Sequence, residues 1–88
     1  MFEVKGLVWD DWNKEHIVKH GVSKEEVEEA CKDEYQVIES YRKRILLVCK
    51  TKSGRTLAVV LSPEDRNSQP YVNGIYYAIT AYEKEAEK

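Results

Sequence analysis

Residues 9–29, WDDWNKEHIVKHGVSKEEVEE, constrain this chain more than any other stretch, because they spell two helices and the turn between them. Asp10 or Asp11 opens the first helix: a short carboxylate there accepts the unpaired N–H groups of the first turn and sits at the positive end of the helix dipole. Gly21 closes it, since glycine takes the left-handed conformation past a helix end without a Cβ penalty, and Lys19 and His20 set donors beside the last carbonyls. The second helix starts at once. Ser23 and Glu26 have the spacing of a capping box, with Val22 and Val27 in the positions of a hydrophobic staple. Trp9, Trp12 and Ile17, with His16 between them, fall near one side of the first helix, and Val27, Ala30 and Cys31 follow the i, i+3, i+4 spacing on the second. Glu25, Glu28, Glu29 and Lys32 make its opposite, solvated face. Two helices this short cannot enclose two tryptophans, so both need a sheet to lie on.

The remainder of the chain supplies strands. Residues 1–8 read as a short strand or an extended lead-in, interrupted by Gly6. YQVIESY at 35–41 and RILLVCKT at 44–51 have strand composition. The continuous apolar run Ile45, Leu46, Leu47, Val48 predicts a central strand covered on both faces. Lys52, Ser53 and Gly54 form a hairpin turn into a third strand over 55–61. Residues 62–74 hold both prolines and read as a long loop. IYYAITA at 75–81 is the fourth strand, and 82–88 reads as a short charged helix or a frayed end. The fold class expected is α+β: two N-terminal helices packed on one face of a mainly antiparallel four-stranded sheet, with a short C-terminal helix.

Eighty-eight residues suffice for one domain, 1–88. A hydrophobic fraction of 42% and a charged fraction of 34% exclude a disordered chain. No apolar run reaches membrane-spanning length and the first residues lack a signal-peptide pattern, so a cytoplasmic protein is expected. Cys31 and Cys49 show neither metal spacing nor a disulfide-dense context and read as buried free thiols. The net charge of −2 hides a segregation: 25–39 is rich in acids, whereas Arg42, Lys43, Arg44, Lys50, Lys52 and Arg55 form a basic stripe with no acid among them. Left to charge alone, that stripe is a solvated hairpin neutralising the acidic helix.

The pattern W-D-x-x-N-x-x-H-I-x-x-H-G-V, carried by Trp9, Asp10, Asn13, His16, Ile17, His20, Gly21 and Val22, and the KTKSGRTLAVVL hairpin with a closing YYAITA strand, resemble the BrnT-type toxin family. The resemblance runs from Trp9 to Ala81. It implies a RelE-like fold, ribonuclease activity, RNA and a cognate antitoxin as partners, and Lys50 and Arg55 as matches to basic hairpin positions. Where the family continues T-A-R into a basic terminal helix, this chain has Thr80, Ala81, then Tyr82, Glu83, Lys84 and Glu85.

A metal-independent ribonuclease must deprotonate a 2′-hydroxyl, stabilise the charged transition state with cations and protonate the leaving oxygen. His20 is the candidate acid or base, because imidazole titrates near neutrality, with Lys50 and Arg55 as the catalytic phosphate ligands. Arg44, Lys50, Lys52 and Arg55 are the candidate RNA contacts. Tyr76 and Tyr77 point to opposite faces of their strand, so one of them is expected at the surface, and Tyr77 joins the RNA set. Against these roles stand blander ones: His20 bonding a helix carbonyl, His16 packed on Trp12, the tryptophans in the core. His16 and His20 at i, i+4 could grip a metal, but no third ligand or glutamate base accompanies them, and no cofactor is expected. A second function class is a non-catalytic relative that binds a protein, or forms a homodimer, through the sheet or the acidic helix.

Overall fold

In the computed structural model, which describes residues 4–32, 35–41, 44–64, 67 and 69–84, the elements are β1 (Gly6–Val8), α1 (Asp11–Val18), α2 (Lys24–Lys32), β2 (Tyr35–Tyr41), β3 (Arg44–Lys50), β4 (Thr56–Ser62) and β5 (Ile75–Glu83). Asp10 caps α1 through a reciprocal box: its carboxylate accepts the Asn13 N–H at 2.9 Å, and its own N–H donates to Asn13 Oδ1 at 2.7 Å. Gly21 has φ +75° and links α1 to α2. The second box forms as expected, with Glu26 N–H donating to Ser23 Oγ and Ser23 N–H to Glu26 Oε1, both at 3.1 Å.

One sheet holds all five strands in the order β1-β5-β4-β3-β2. The antiparallel strands β2 to β5 are the four expected. The sheet is nonetheless mixed, because β1 pairs parallel with β5, Val8 opposite Tyr77. A terminal helix starting at residue 82 is also corrected: β5 runs on to Glu83, and Lys84 N–H donates to Thr56 O, so the hairpin partner holds this end extended. The rest of that expectation lies outside the described residues, as do residues 33–34 and 42–43. No helix among the described residues is long and apolar enough to cross a membrane.

Ile17 of α1 and Val27, Ala30 and Cys31 of α2 share one core with Leu47, Cys49, Leu57, Val59, Leu61, Tyr76, Ala78 and Ala81. Each large aliphatic buried there contributes about 1.5–3 kcal/mol relative to exposure. Cys31 and Cys49 are buried and free. A hydrogen bond with Cys49, together with burial, holds the Cys31 thiol well above its ordinary range.

α2 packs on β2, β3 and β4, while α1 packs on β5. α1 takes over the edge of β5 where β1 stops. The last pair of that ladder is Val8 with Tyr77, and the next β5 carbonyl, Ala78 O, accepts instead from Asn13 Nδ2 at 2.9 Å. The same amide donates to Val8 O at 2.9 Å. Asn13 is fully buried and replaces a strand residue with one side chain.

Strand alternation divides the sheet into two faces. Leu47, Cys49, Leu57, Val59 and Leu61 face the helices. Leu46, Val48, Ala58, Val60 and Tyr82 therefore lie on the other, which α1 meets at the β5 border, where His20 stands beside Tyr82. β3 is central as expected, but only one of its faces is covered by helices, leaving Leu46 and Val48 half-buried. β2 forms one border of the sheet, with Val37 and Ile38 exposed and a register shift between Val37 and Glu39.

Candidate functional site

The β3–β4 hairpin end of the sheet gathers most of the residues that the sequence nominates, but on two different faces. Arg55 turns to the helix side. Its Nη1 donates to Glu26 Oε2 at 2.5 Å, and its Nη2 to Gly21 O at 3.0 Å and Glu83 Oε1 at 3.2 Å. The guanidinium thus joins the turn between the helices, the first turn of α2 and the end of β5, and its bonds to the Glu26 and Glu83 carboxylates raise its pKa further. Burial pushes the Glu26 carboxyl up, but hydrogen bonds from the Ser23 backbone and Arg55, with the Arg55 charge, outweigh it and leave the pKa below its usual value. Lys52 is exposed, and its backbone N–H donates to Glu29 Oε1 at 2.6 Å.

Lys50 follows the buried Cys49, so alternation puts it on the open face, where it pairs with Thr56. Arg44 has the same parity on the same strand and is exposed. Lys84 joins the Lys50 and Thr56 rung from the other side through its N–H to Thr56 O, at 2.8 Å. One rung inward lie Val48, Ala58 and Tyr82. The structure thus puts Lys50 and Arg44 on one face, at opposite ends of β3 and about 20 Å apart at roughly 3.3 Å per residue, and separates both from Arg55.

His20, at the end of α1, is exposed and stands beside Tyr82, ring centroids 6.4 Å apart. It continues a row. Trp12 and His16 stack at 4.9 Å with an interplanar angle of 7°, and His16 meets His20 edge-on at 5.2 Å. Trp12 was expected on the buried side of α1 and is 44% exposed. Asn13 and Ile17 are the residues that face inward, and a shift of one position turns a side chain by about 100° around a helix. The packing of His16 on Trp12 is as expected, but it takes place at the surface.

The expectation of one exposed tyrosine at 76 or 77 is corrected too. Tyr76 is 8% exposed and Tyr77 is 5% exposed. Tyr76 enters the core, while Tyr77, beside Val8, donates its hydroxyl to the Asp10 carboxylate at 3.0 Å. Tyr77 is therefore covered by the start of α1, and the tyrosine of β5 that reaches solvent is Tyr82, 41% exposed. Sequence reasoning did not assign Tyr82, Asn13 or Lys84 to this region; the D-x-x-N spacing of a capping box was the available signal for Asn13. Among the described residues, no group of three or more His, Cys, Asp or Glu is arranged to hold a metal ion.

Comparison with known proteins finds no matching family model, and no significant match among curated proteins or solved structures.

Proposed function

We propose that this chain is a BrnT-like, RelE-like toxin of a type II toxin–antitoxin pair, a cytoplasmic, metal-independent ribonuclease restrained by a cognate antitoxin. The observation that carries the reading is the exposed His20 imidazole beside Tyr82, at the end of a face where strand pairing brings Lys50 and Lys84 to either side of Thr56. His20 takes the proton of a 2′-hydroxyl as it attacks the adjacent phosphorus, Lys50 balances the charge that develops on the phosphoryl oxygens, and the leaving 5′-oxygen takes its proton from water, to which His20 later returns its own. The products are a 2′,3′-cyclic phosphate and a 5′-hydroxyl. Arg44 extends the basic face, and the antitoxin covers that face. Arg55 acts through its bond to Gly21 O, one residue from His20, as a positioning residue.

A second reading, a non-catalytic relative that binds a protein or a second copy, draws on the state of Arg55, whose charge two carboxylates already satisfy. Induced expression of the chain, with total RNA and growth followed together, separates the two. Under the ribonuclease reading, RNA decays before growth stops, and both effects vanish in His20→Ala and Lys50→Ala. Normal growth with folded protein and intact RNA would overturn it in favour of the binding module.

A further inference from the structure

The row Trp12, His16, His20 and Tyr82 has a property that the cleavage step leaves unused. Its first and last rings are large, aromatic and more than two-fifths exposed, and the rings between them continue the contact without a break. Stacking of Trp12 on His16 accounts for part of their surface, and the exposed remainder of Trp12 and Tyr82 faces water at an energetic disadvantage. At the Tyr82 end the row runs into the open sheet face, with Lys50 and Lys84 one rung away. Among the described acids of this end, Glu26 and Glu83 turn to the other face and are held by Arg55, and Glu29 accepts the Lys52 N–H. On α1 itself Asp11 pairs with Lys14 at 3.8 Å, and Glu15 and Lys19 are exposed beside the row. Aromatic rings leading into lysines that form no ion pair with a described carboxylate suit a ligand that alternates flat faces with negative charges.

We infer that this row is a stacking platform for the unpaired bases of a single-stranded nucleic acid, whose phosphates run on to Lys50 and Lys84. The inference rests on the ribonuclease reading for its biological setting and adds to it a subsite and a selectivity. Bases stack on Trp12 and Tyr82, and the imidazoles of His16 and His20 lie between them, so the strand is delivered to His20 with its bases unstacked from one another. A duplex keeps its base faces covered and cannot use the platform. Sequence preference along the row is weak, because every base offers a π-face.

The test uses a fluorescein-labelled, 2′-deoxy single strand of about twelve nucleotides, which has no 2′-hydroxyl and so reports binding apart from cleavage. Anisotropy with the whole chain should show binding to the single strand and much weaker binding to the same sequence as a duplex. Tyr82→Ala and Trp12→Ala should each weaken single-strand affinity by about tenfold or more, the effect of losing one base stack. Trp12→Phe should restore most of it, and Glu25→Gln, on the far face of α2, should change nothing; melting curves identify variants that fail to fold. Tyr82, at the exposed end of β5, keeps the test open if Trp12→Ala does not fold. Equal affinity for single strand and duplex, no binding at all, or unchanged affinity in folded Tyr82→Ala would overturn the inference, as would a row that serves only a protein partner, which leaves the probe unbound. Probe binding without RNA decay in cells would overturn the ribonuclease reading and leave the platform standing.

Discussion

Asn13 shows how much one side chain can settle. Its amide closes the capping box of α1 and satisfies two carbonyls, Val8 O and Ala78 O, at the point where the β1–β5 ladder ends. In Asn13→Ala both acceptors lose their donor, Ala78 O in a buried site and Val8 O in a partly buried one. The expected loss is about 3 kcal/mol, at roughly 1–3 kcal/mol per buried group left unsatisfied, read as a lower urea midpoint with an unchanged slope. Glu26 gives a residue-scale prediction in pH. Its folded-state pKa is depressed, so the unfolded chain binds more protons as the solution turns acid. The stability this contributes is complete above the ordinary carboxylate pKa and is lost as pH falls through the folded value. Melting temperatures followed from neutral into acid should therefore fall less steeply in Glu26→Gln than in the native chain, from a lower starting point at neutral pH. Parallel curves would mean that the Arg55 clamp contributes nothing to acid sensitivity.

At the scale of elements, the two helices were legible because their ends are written locally: Asp10 with Asn13, Gly21, and Ser23 with Glu26 all act within three residues of the boundary that they fix. What could not be read is what depends on distant partners. Which side of α1 faces inward is decided by Ala78 and the core beneath Ile17, and hydrophobicity alone favoured Trp12 over Asn13. β1 was equally obscure, since a strand of three residues owes its existence to β5. Its entry is held by Gly74, whose carbonyl accepts from Lys5 N–H at 2.8 Å and Gly6 N–H at 3.3 Å. Gly74 has φ +92°, and an added Cβ would stand 2.8 Å from the Lys5 side chain. Gly74→Ala should cost about 1–2 kcal/mol in backbone strain alone. Amide exchange would locate that cost: Leu7 and Val8 should lose protection more than β3 and β4, whereas uniform loss would mean that β1 and the sheet open as one unit.

Over the whole molecule, charge was legible as composition and illegible as position. The basic stripe is real in sequence, yet alternation sends Lys50 to the open face and Arg55 to the helix side. The two should separate in experiment. Lys50→Ala should leave the melting temperature unchanged while lowering the salt slope of single-strand binding by about 0.7, one phosphate contact's worth. Arg55→Ala should lower the melting temperature, having released both Glu26 and Glu83. A Lys50→Ala protein with the native slope would remove that lysine from any phosphate path.

The borders of the sheet carry a last implication. Among the described residues, one border offers the three residues of β1, and beyond them α1 occupies the edge of β5; the other is the seven-residue β2 with Val37 and Ile38 at the surface. In the language of polymer chemistry the chain is a monofunctional monomer. Any strand-to-strand addition through β2 would use up the reactive end of both molecules, so growth by that route would stop at a pair where a sheet open on both sides would go on to fibres.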